Sequence, residues 1–382
     1  MGESDLRDAV RAGLPRYRSR LAELVAVDSG SADTDGVNLV AGLVAGYARE
    51  AGFASETLPL ADGRSGLVVR RRGGGQVKIV LSAHMDTVFP VGTACERPFR
   101  VDGDRARGPG VCDDKGGLLA GLAAMEALVR AGRERYGEVA LVCSPDEEIG
   151  SPLGRAVLER EVRDAAAALC LECARENGDL VSSRKGVTEI EVLLAGRAAH
   201  AGIEPEKGAS AALAAARLTL AFQALNGTGS GATVNVGVLS AGIAANVVPA
   251  SARLAVDVRG ERAGAFRATA DAIARLADEH GVPGVTATVT EHAPMPPWEK
   301  GPATAALVAL AERAGRAAGV PVRDAATGGG ADANLIAATG VPVLDGLGPV
   351  GGADHTPDEW LDLASVPSRV EFLARLIDLV AA

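Results

Sequence analysis

The stretch Val77–Val88, VKIVLSAHMDTV, ends an apolar run by presenting His84 and Asp86 in quick succession. The run has no helical period and is rich in aliphatic residues, so it reads as a buried strand. On an extended chain, residues two apart point the same way. A histidine beside a carboxylate serves as a metal ligand with its orienting partner, as a catalytic base with its orienter, or as a buried structural pair. Polar residues gather past strands elsewhere in the chain. Gly108–Gly117, GPGVCDDKGG, sets Asp113 and Asp114 at a glycine-rich turn before a helix. One aspartate would cap that helix, but capping leaves the second unexplained. Ser144–Gly150, SPDEEIG, follows another apolar run with successive acids. These suit either a solvated loop or a site where one glutamate binds metal and its neighbour stays free as a base. Glu172 follows Ala167–Leu171, and Gly351–His355, GGADH, carries a second histidine on a glycine-rich loop.

Taken together, His84, Asp113, Glu148, Glu172 and His355 are nitrogen and oxygen donors with no thiolate requirement. Such a set suits Zn²⁺, and also Co²⁺ or Mn²⁺. One carboxylate can bridge two ions, leaving each with one histidine and one further glutamate. A pair of ions so held clamps an attacking hydroxide and the oxygen of a scissile bond. The cysteines do not compete for this role. Cys170 and Cys173 form a single C-x-x-C with no second pair, and read as small buried residues.

The elements that position these residues alternate between strand and helix. Strands are expected at Leu67–Arg71, Val77–Ala83, Glu138–Ser144 and Ala167–Leu171, with Arg72–Gly75 as a hairpin between the first two. Helices are expected over 5–26, 36–51, Lys115–Arg130 and Pro152–Val162. That order predicts a doubly wound α/β sheet, whose function lies beyond the carboxyl ends of its strands. After Ser182 the rhythm becomes β-α-β-β-α-β, the order of a ferredoxin-like α+β domain. Past Pro294–Pro297 the α/β character returns. The expected organisation is a catalytic domain over 1–184 and 294–382, interrupted by an inserted domain over 185–293.

Length and composition allow two domains in a soluble globular protein, and no stretch is apolar over a transmembrane length. The net charge of −10 argues against nucleic acid and anionic membranes as partners. The charged amino terminus lacks a signal-like apolar core, and the cysteines are odd in number and irregular in spacing, so a cytoplasmic location is expected.

The motifs SAHMDTV, GPGVCDDKGG, SPDEEIG, LCLE, GRAAHAG and GGADH run in one order across almost the whole chain. In this they resemble the co-catalytic di-zinc exopeptidases and aminoacylases. That family includes glutamate carboxypeptidase, succinyl-diaminopimelate desuccinylase, acetylornithine deacetylase and aminoacylase. The resemblance is nearest to the glutamate carboxypeptidase branch, through GPGVCDDKGG and ANVVPASARLAVDVR. It implies that Asp113 bridges two metals, with His84 and Glu172 on one and Glu148 and His355 on the other. Asp86 would orient His84, and Glu147 would be the general base. It further implies a cis peptide at Asp113–Asp114, and an inserted domain that acts as lid and dimerisation domain. Through that homodimer His200 would reach the partner's active site and stabilise the oxyanion, whereas from the sequence alone it reads as a surface histidine in a turn. Asn246 and Arg259 match positions that grip a substrate carboxylate, and Gly328, Gly329 and Gly330 match a loop lining the substrate pocket. Cys173 and Ala331 depart from the residues common in relatives, which bears on specificity rather than on metal binding.

The implied activity is metal-dependent hydrolysis of a peptide or N-acyl amide bond next to a free carboxylate. Alternatives are a dipeptidase, an N-acyl-amino-acid deacylase, a catalytically dead binder of amino-acid derivatives, and a two-metal phosphoesterase. The last would want a strongly basic pocket, and the sequence offers for it only Arg259 and Lys185.

Overall fold

The structure, a computed structural model, describes residues 4–226 and 231–382. The chain divides into two compact units. One comprises Met1–Ser182, Lys300–Ala326 and Ala331–Ala382; the other comprises Ser183–Glu299 and Thr327–Gly330. The second unit runs on past residue 293 because its last strand continues to Met295 and Trp298 pairs with the backbone of Arg184.

The first unit is built on a six-stranded sheet in the order Ala54–Pro59, Ser65–Arg72, Glu138–Ser144, Lys78–His84, Ala167–Cys170, Val343–Leu344. Only Ser65–Arg72 runs against the others. The central strands KIVLSAH and EVALVCS are buried almost throughout, as aliphatic residues must be when helices cover both faces of a sheet. Leu81, Leu141 and Leu169 are wholly buried there. Each such side chain contributes about 1.5–3 kcal/mol by leaving water. The parallel register brings the strand ends level. His84 pairs with Ser144, and Ser82 with Cys170, so the segments carrying His84, Glu147–Glu148 and Glu172 all leave the same edge.

The expected hairpin at Arg72–Gly75 does not form. The Glu138–Ser144 strand lies between the two strands that the hairpin would have paired. Gly73, Gly74 and Gly75 instead donate their N–H groups to Gly137, Glu134 and Tyr136, just ahead of that strand. A Cβ at Gly73 or Gly75 would collide with main-chain oxygens of this segment. The glycines serve close backbone approach, not a tight turn.

Two features of this unit are not signalled by the sequence. Ala54–Pro59 is an exposed edge strand. Gly351–Gly352, Trp360–Asp362, Arg105–Arg107 and Arg100–Asp102 form a small antiparallel sheet that carries the segment with His355. Among the described residues, no helix is long and apolar enough to cross a membrane.

The second unit has the strands Gly186–Ala195, Ala232–Ala241, Ser251–Gly260 and Thr286–Met295, with helices Ala211–Gln223 and Ala263–Asp278. The sheet is antiparallel, and its spatial order is second, third, first, fourth strand. This is the ferredoxin-like arrangement. Val192, Leu254, Val256 and Ile273 pack with Phe222 in a core of its own.

Candidate metal centre

His84 closes the Lys78–His84 strand and is 1% exposed. Its Nδ1 lies 3.0 Å from the main-chain oxygen of Asp86 and 3.4 Å from Asp86 Oδ1. Those acceptors place the ring proton on Nδ1 and leave Nε2 as the donor to a metal, the usual division in a metal-bound histidine. Nε2 is 2.9 Å from Asp113 Oδ1 and 3.7 Å from Glu172 Oε1. The other oxygen of Asp113, Oδ2, is 3.0 Å from His355 Nε2, which in turn is 3.1 Å from Glu148 Oε2. Two donor triads result, His84–Asp113–Glu172 and Asp113–Glu148–His355, each within 4.8 Å internally and sharing Asp113.

Local sequence explains the placement. The peptide bond Asp113–Asp114 is cis. Gly117 follows in the first turn of the Lys115–Arg130 helix, where a Cβ would strike the main chain of Leu171 and the Asp114 carboxyl. Only glycine lets that helix start close enough to the Ala167–Cys170 strand for Asp113 to meet Glu172. His355 and Ala353 both hold positive φ, at 61° and 56°. A side chain held in that region costs on the order of 1–3 kcal/mol and persists where the surroundings enforce it. Arg369, buried on the last helix, ties the preceding loop by donating to the carbonyls of Gly348 at 2.8 Å and Gly346 at 2.6 Å.

The electrostatics call for positive charge. Burial, reinforced by Glu172, pushes Glu147 well above the usual carboxylate range, and burial raises Glu148 as well. Burial also works against Asp113, but His355 and His84 beside it hold its carboxyl low. Asp113 and Glu148 push His355 up to about 11. Acids crowded this closely around two imidazole nitrogens fit a pair of divalent cations, whose charge would compensate them.

Asp86 does more than face His84. Its carboxylate accepts from the N–H groups of Glu147 at 3.0 Å and Glu148 at 3.2 Å, and from Ser31 Oγ at 2.7 Å. It therefore sets the acidic turn after Ser144. Glu147 Oε1 accepts from the Asp332 N–H at 3.2 Å, leaving Oε2 as its other oxygen. Asp332 itself is buried and accepts from Ser144 Oγ at 2.6 Å and from Ser151 Oγ. The sequence shows Asp332 only as the end of a glycine-rich loop.

Glu359 is a supporting residue that the sequence does not single out. It is 1% exposed and accepts from the N–H groups of Gly110 at 2.8 Å, Cys112 at 2.8 Å and Asp113 at 3.1 Å. Burial pushes its carboxyl up to about 7 while those donors pull it down. Its signal in sequence is one acid among several polar residues, TPDEW; only burial distinguishes it. Glu359→Ala leaves three buried donors unsatisfied, each worth about 1–3 kcal/mol. Thermal unfolding should shift markedly downward, and competition with a chelator should show metal affinity reduced by roughly 10–100-fold. Unchanged affinity in a folded variant would remove Glu359 from this positioning role.

The remaining expected residues lie in the second unit. His200 is exposed, and its Nδ1 accepts from the Gly202 N–H at 3.1 Å. The neighbouring Ala201 donates its N–H to the Asn246 carbonyl at 3.0 Å, so His200 and Asn246 share one backbone junction. Arg259 pairs with Asp257 at 2.9 Å and donates to the Gly328 carbonyl at 2.9 Å, which joins it to the Gly328–Gly330 loop. Cys112, adjacent in sequence to Asp113, is buried, and Cys173, adjacent to Glu172, is partly buried; both are free thiols. His280 accepts from the Val282 N–H, a local structural contact.

A doubly wound α/β unit with paired donor triads at its strand ends, and a ferredoxin-like unit inserted in its chain, define a metallopeptidase-type hydrolase. The chain belongs to peptidase family M20/M25/M40, whose family model matches residues 80–379. It is 32% identical over 372 residues to carboxypeptidase G2 of Pseudomonas sp. (strain RS-16), covering 95% of this chain and 89% of that one. It is 29% identical over 354 residues to N-acetyl-L-citrulline deacetylase of Xanthomonas campestris pv. campestris, covering 86% of this chain and 88% of that one. Among solved structures it resembles the Bacillus subtilis YXEP protein, described as a dinuclear metal binding peptidase. The TM-score is 0.72 and the identity 18%, over 97% of this chain and 99% of that one.

Proposed function

We propose that the protein is a di-metal carboxypeptidase-like amidohydrolase that cleaves a peptide or N-acyl amide bond next to a free carboxylate, with glutamate as the favoured carboxylate-bearing half. The observation that carries this reading is the sharing of Asp113 between two donor triads with Glu147 alongside. His84 and Glu172 would hold one cation and Glu148 and His355 the other, with Asp113, common to both triads, available to each. Zn²⁺ suits the donors best, with Co²⁺ or Mn²⁺ as alternatives. Bound there, the cations supply Lewis-acid polarisation of the scissile carbonyl and a water acidic enough to deprotonate near neutral pH.

The chain's own residues do the rest. Glu147 Oε2 takes a proton from the attacking water and delivers it to the departing amine nitrogen, while the Asp332 N–H keeps Oε1 in place. Asp86 holds the His84 ring and the Glu147 backbone together, so ligand and base keep their spacing. Asn246, Arg259 and the Gly328–Gly330 loop grip the substrate carboxylate, and His200 donates to the oxygen that gains charge.

His200 acts in this reading on the opposite protomer of a homodimer. The support is the outer strand of the inserted unit. Ala232–Ala241 is a sheet edge with Val238 and Leu239 exposed, and the nearby Ile243 is 91% exposed. A bare apolar edge invites pairing with a second copy. A cytoplasmic location is part of the same proposal, since the cysteines follow no disulfide pattern.

The test is a panel of N-acyl amino acids, dipeptides and a phosphate ester given to the metal-loaded protein. Release of free glutamate from N-acylglutamates, with no phosphatase activity, is the expected outcome. Preferential cleavage of unblocked dipeptides would move the assignment to a dipeptidase. Release from N-acyl derivatives of other amino acids alone would make it a deacylase. A catalytically dead binder, hydrolysing nothing, is disfavoured by the presence of Glu147, for which a binder has no use.

A further inference from the structure

Arg369, on the closing helix Val366–Val380, is 2% exposed, although a guanidinium is costly to take out of water. Burial pulls it down to about 10, which still leaves it charged at neutral pH. Its hydrogen bonds go to main-chain carbonyls, not to a carboxylate. Nε donates to Gly348 at 2.8 Å, one terminal nitrogen to Gly346 at 2.6 Å and the other to Gly178 at 3.3 Å. The guanidinium carbon lies 5.2 Å from the centroid of the Phe372 ring, which supports the group from one side. The three carbonyls belong to two segments remote in sequence. Gly346 and Gly348 begin the loop that runs to His355. Gly178 closes the turn that follows Glu172, donating its N–H to Arg175 at 2.6 Å. These segments run side by side past the strand ends. Leu347 donates to Cys170 at 3.2 Å, Gly348 to Glu172 at 3.0 Å, and Ala174 to Pro349 at 2.9 Å. A Cβ at Gly348 would strike the Leu171 carbonyl, so the approach needs glycine.

We propose that Arg369 is a positioning residue for the metal centre, whose grip on three carbonyls fixes the spacing between Glu172 and His355. The inference rests on the two-metal reading above and deepens it. Glu172 belongs to one donor triad and His355 to the other. The remaining donors have supports of their own: Asp86 for His84 and Glu148, and Glu359 for Asp113. His355 sits on a loop at a φ of 61°, which its surroundings must enforce. Triads that share Asp113 are both complete only at one separation of the Glu172 and His355 segments, and Arg369 holds both segments from beneath. The task suits arginine. Its planar fork presents five donors in fixed directions, whereas a lysine ammonium is a compact point donor. Loss of the fork therefore misplaces one ligand of each ion.

The experiment measures Zn²⁺ affinity by chelator competition in the wild type, Arg369→Met, Arg369→Lys and Leu376→Ala, a buried core change further along the same helix. The wild type should bind two ions per chain. Arg369→Met should bind both roughly 10–100-fold more weakly, the scale of losing a group that orients ligands. Arg369→Lys, which keeps the charge without the fork, should recover only part of that loss. Leu376→Ala should melt at a lower temperature yet keep its affinity within about twofold, because it opens a cavity without touching either segment. The visible absorption of Co²⁺-loaded protein should change in Arg369→Met and not in Leu376→Ala. In metal-free protein, amide hydrogen exchange should quicken by about 10-fold or more over 172–179 and 346–355 of Arg369→Met, with 138–148 unchanged. If the wild type binds fewer than two ions, the two-metal reading fails, and the exchange pattern still decides the role of Arg369. Unchanged affinity in folded Arg369→Met, an equal loss in Leu376→Ala, full recovery in Arg369→Lys, or exchange that quickens throughout the chain would overturn the inference. Failure of both Arg369 variants to fold would make Arg369 a residue of the scaffold and overturn it too.

Discussion

Glu147→Ala should keep its full complement of metal and bind substrate as the wild type does, while kcat falls by at least about 100-fold, the usual scale for losing a general base. The expectation follows from what Glu147 does and does not touch. Its Oε1 is held by the Asp332 N–H, whereas the donors of both triads come from other side chains. The neighbouring Glu148 belongs to a triad, and Asp86 fixes both glutamates through their backbone N–H groups, which alanine retains. The turn should therefore survive the substitution. A fall in kcat with KM unchanged separates loss of proton transfer from loss of binding. Near-normal turnover in a metal-replete variant would take Glu147 out of the chemistry.

An equally large effect is expected from mixing two inactive proteins. Glu147→Ala and His200→Ala homodimers should each be nearly inactive. Refolded together in equal amounts, they give about half mixed dimers by random pairing. On the proposed dimer, the site on the His200→Ala chain of a mixed pair would keep its own Glu147 and receive His200 from the other protomer. Activity should recover to roughly a quarter of the wild-type value if the two sites act independently. A mixture that stays inactive although mixed dimers are shown to form would mean that His200 serves its own chain or none.

The sequence makes His84, Glu148 and Glu172 readable because each closes or follows an apolar strand, whereas Asp113 and His355 stand on glycine-rich loops. VKIVLSAH, EVALVCS and AALCLE announce buried strands by aliphatic content alone, and the parallel register then brings His84, Ser144 and Cys170 to one edge. The β-α-β-β-α-β order of the inserted unit is readable from alternation in the same way. Strand pairing is not. The Gly73–Gly75 run is compatible with a tight turn and with close backbone approach, and nothing local chooses between them; the chain that decides, Glu134–Gly137, is remote in sequence. The supporting groups are equally opaque. Glu359 matters because its carboxylate is buried against three backbone donors, and Asp332 because its own N–H holds Glu147. Both facts depend on burial and register that an isolated acid in a polar stretch does not signal.

The most direct test of a shared two-metal centre is an anomalous difference map from crystals of the protein loaded with Zn²⁺. Two strong peaks per chain are expected, with one oxygen of Asp113 on each. His84 and Glu172 should lie at one ion and Glu148 and His355 at the other, each about 2.0–2.3 Å away. A single ion, or ions held by residues outside this set, would contradict it.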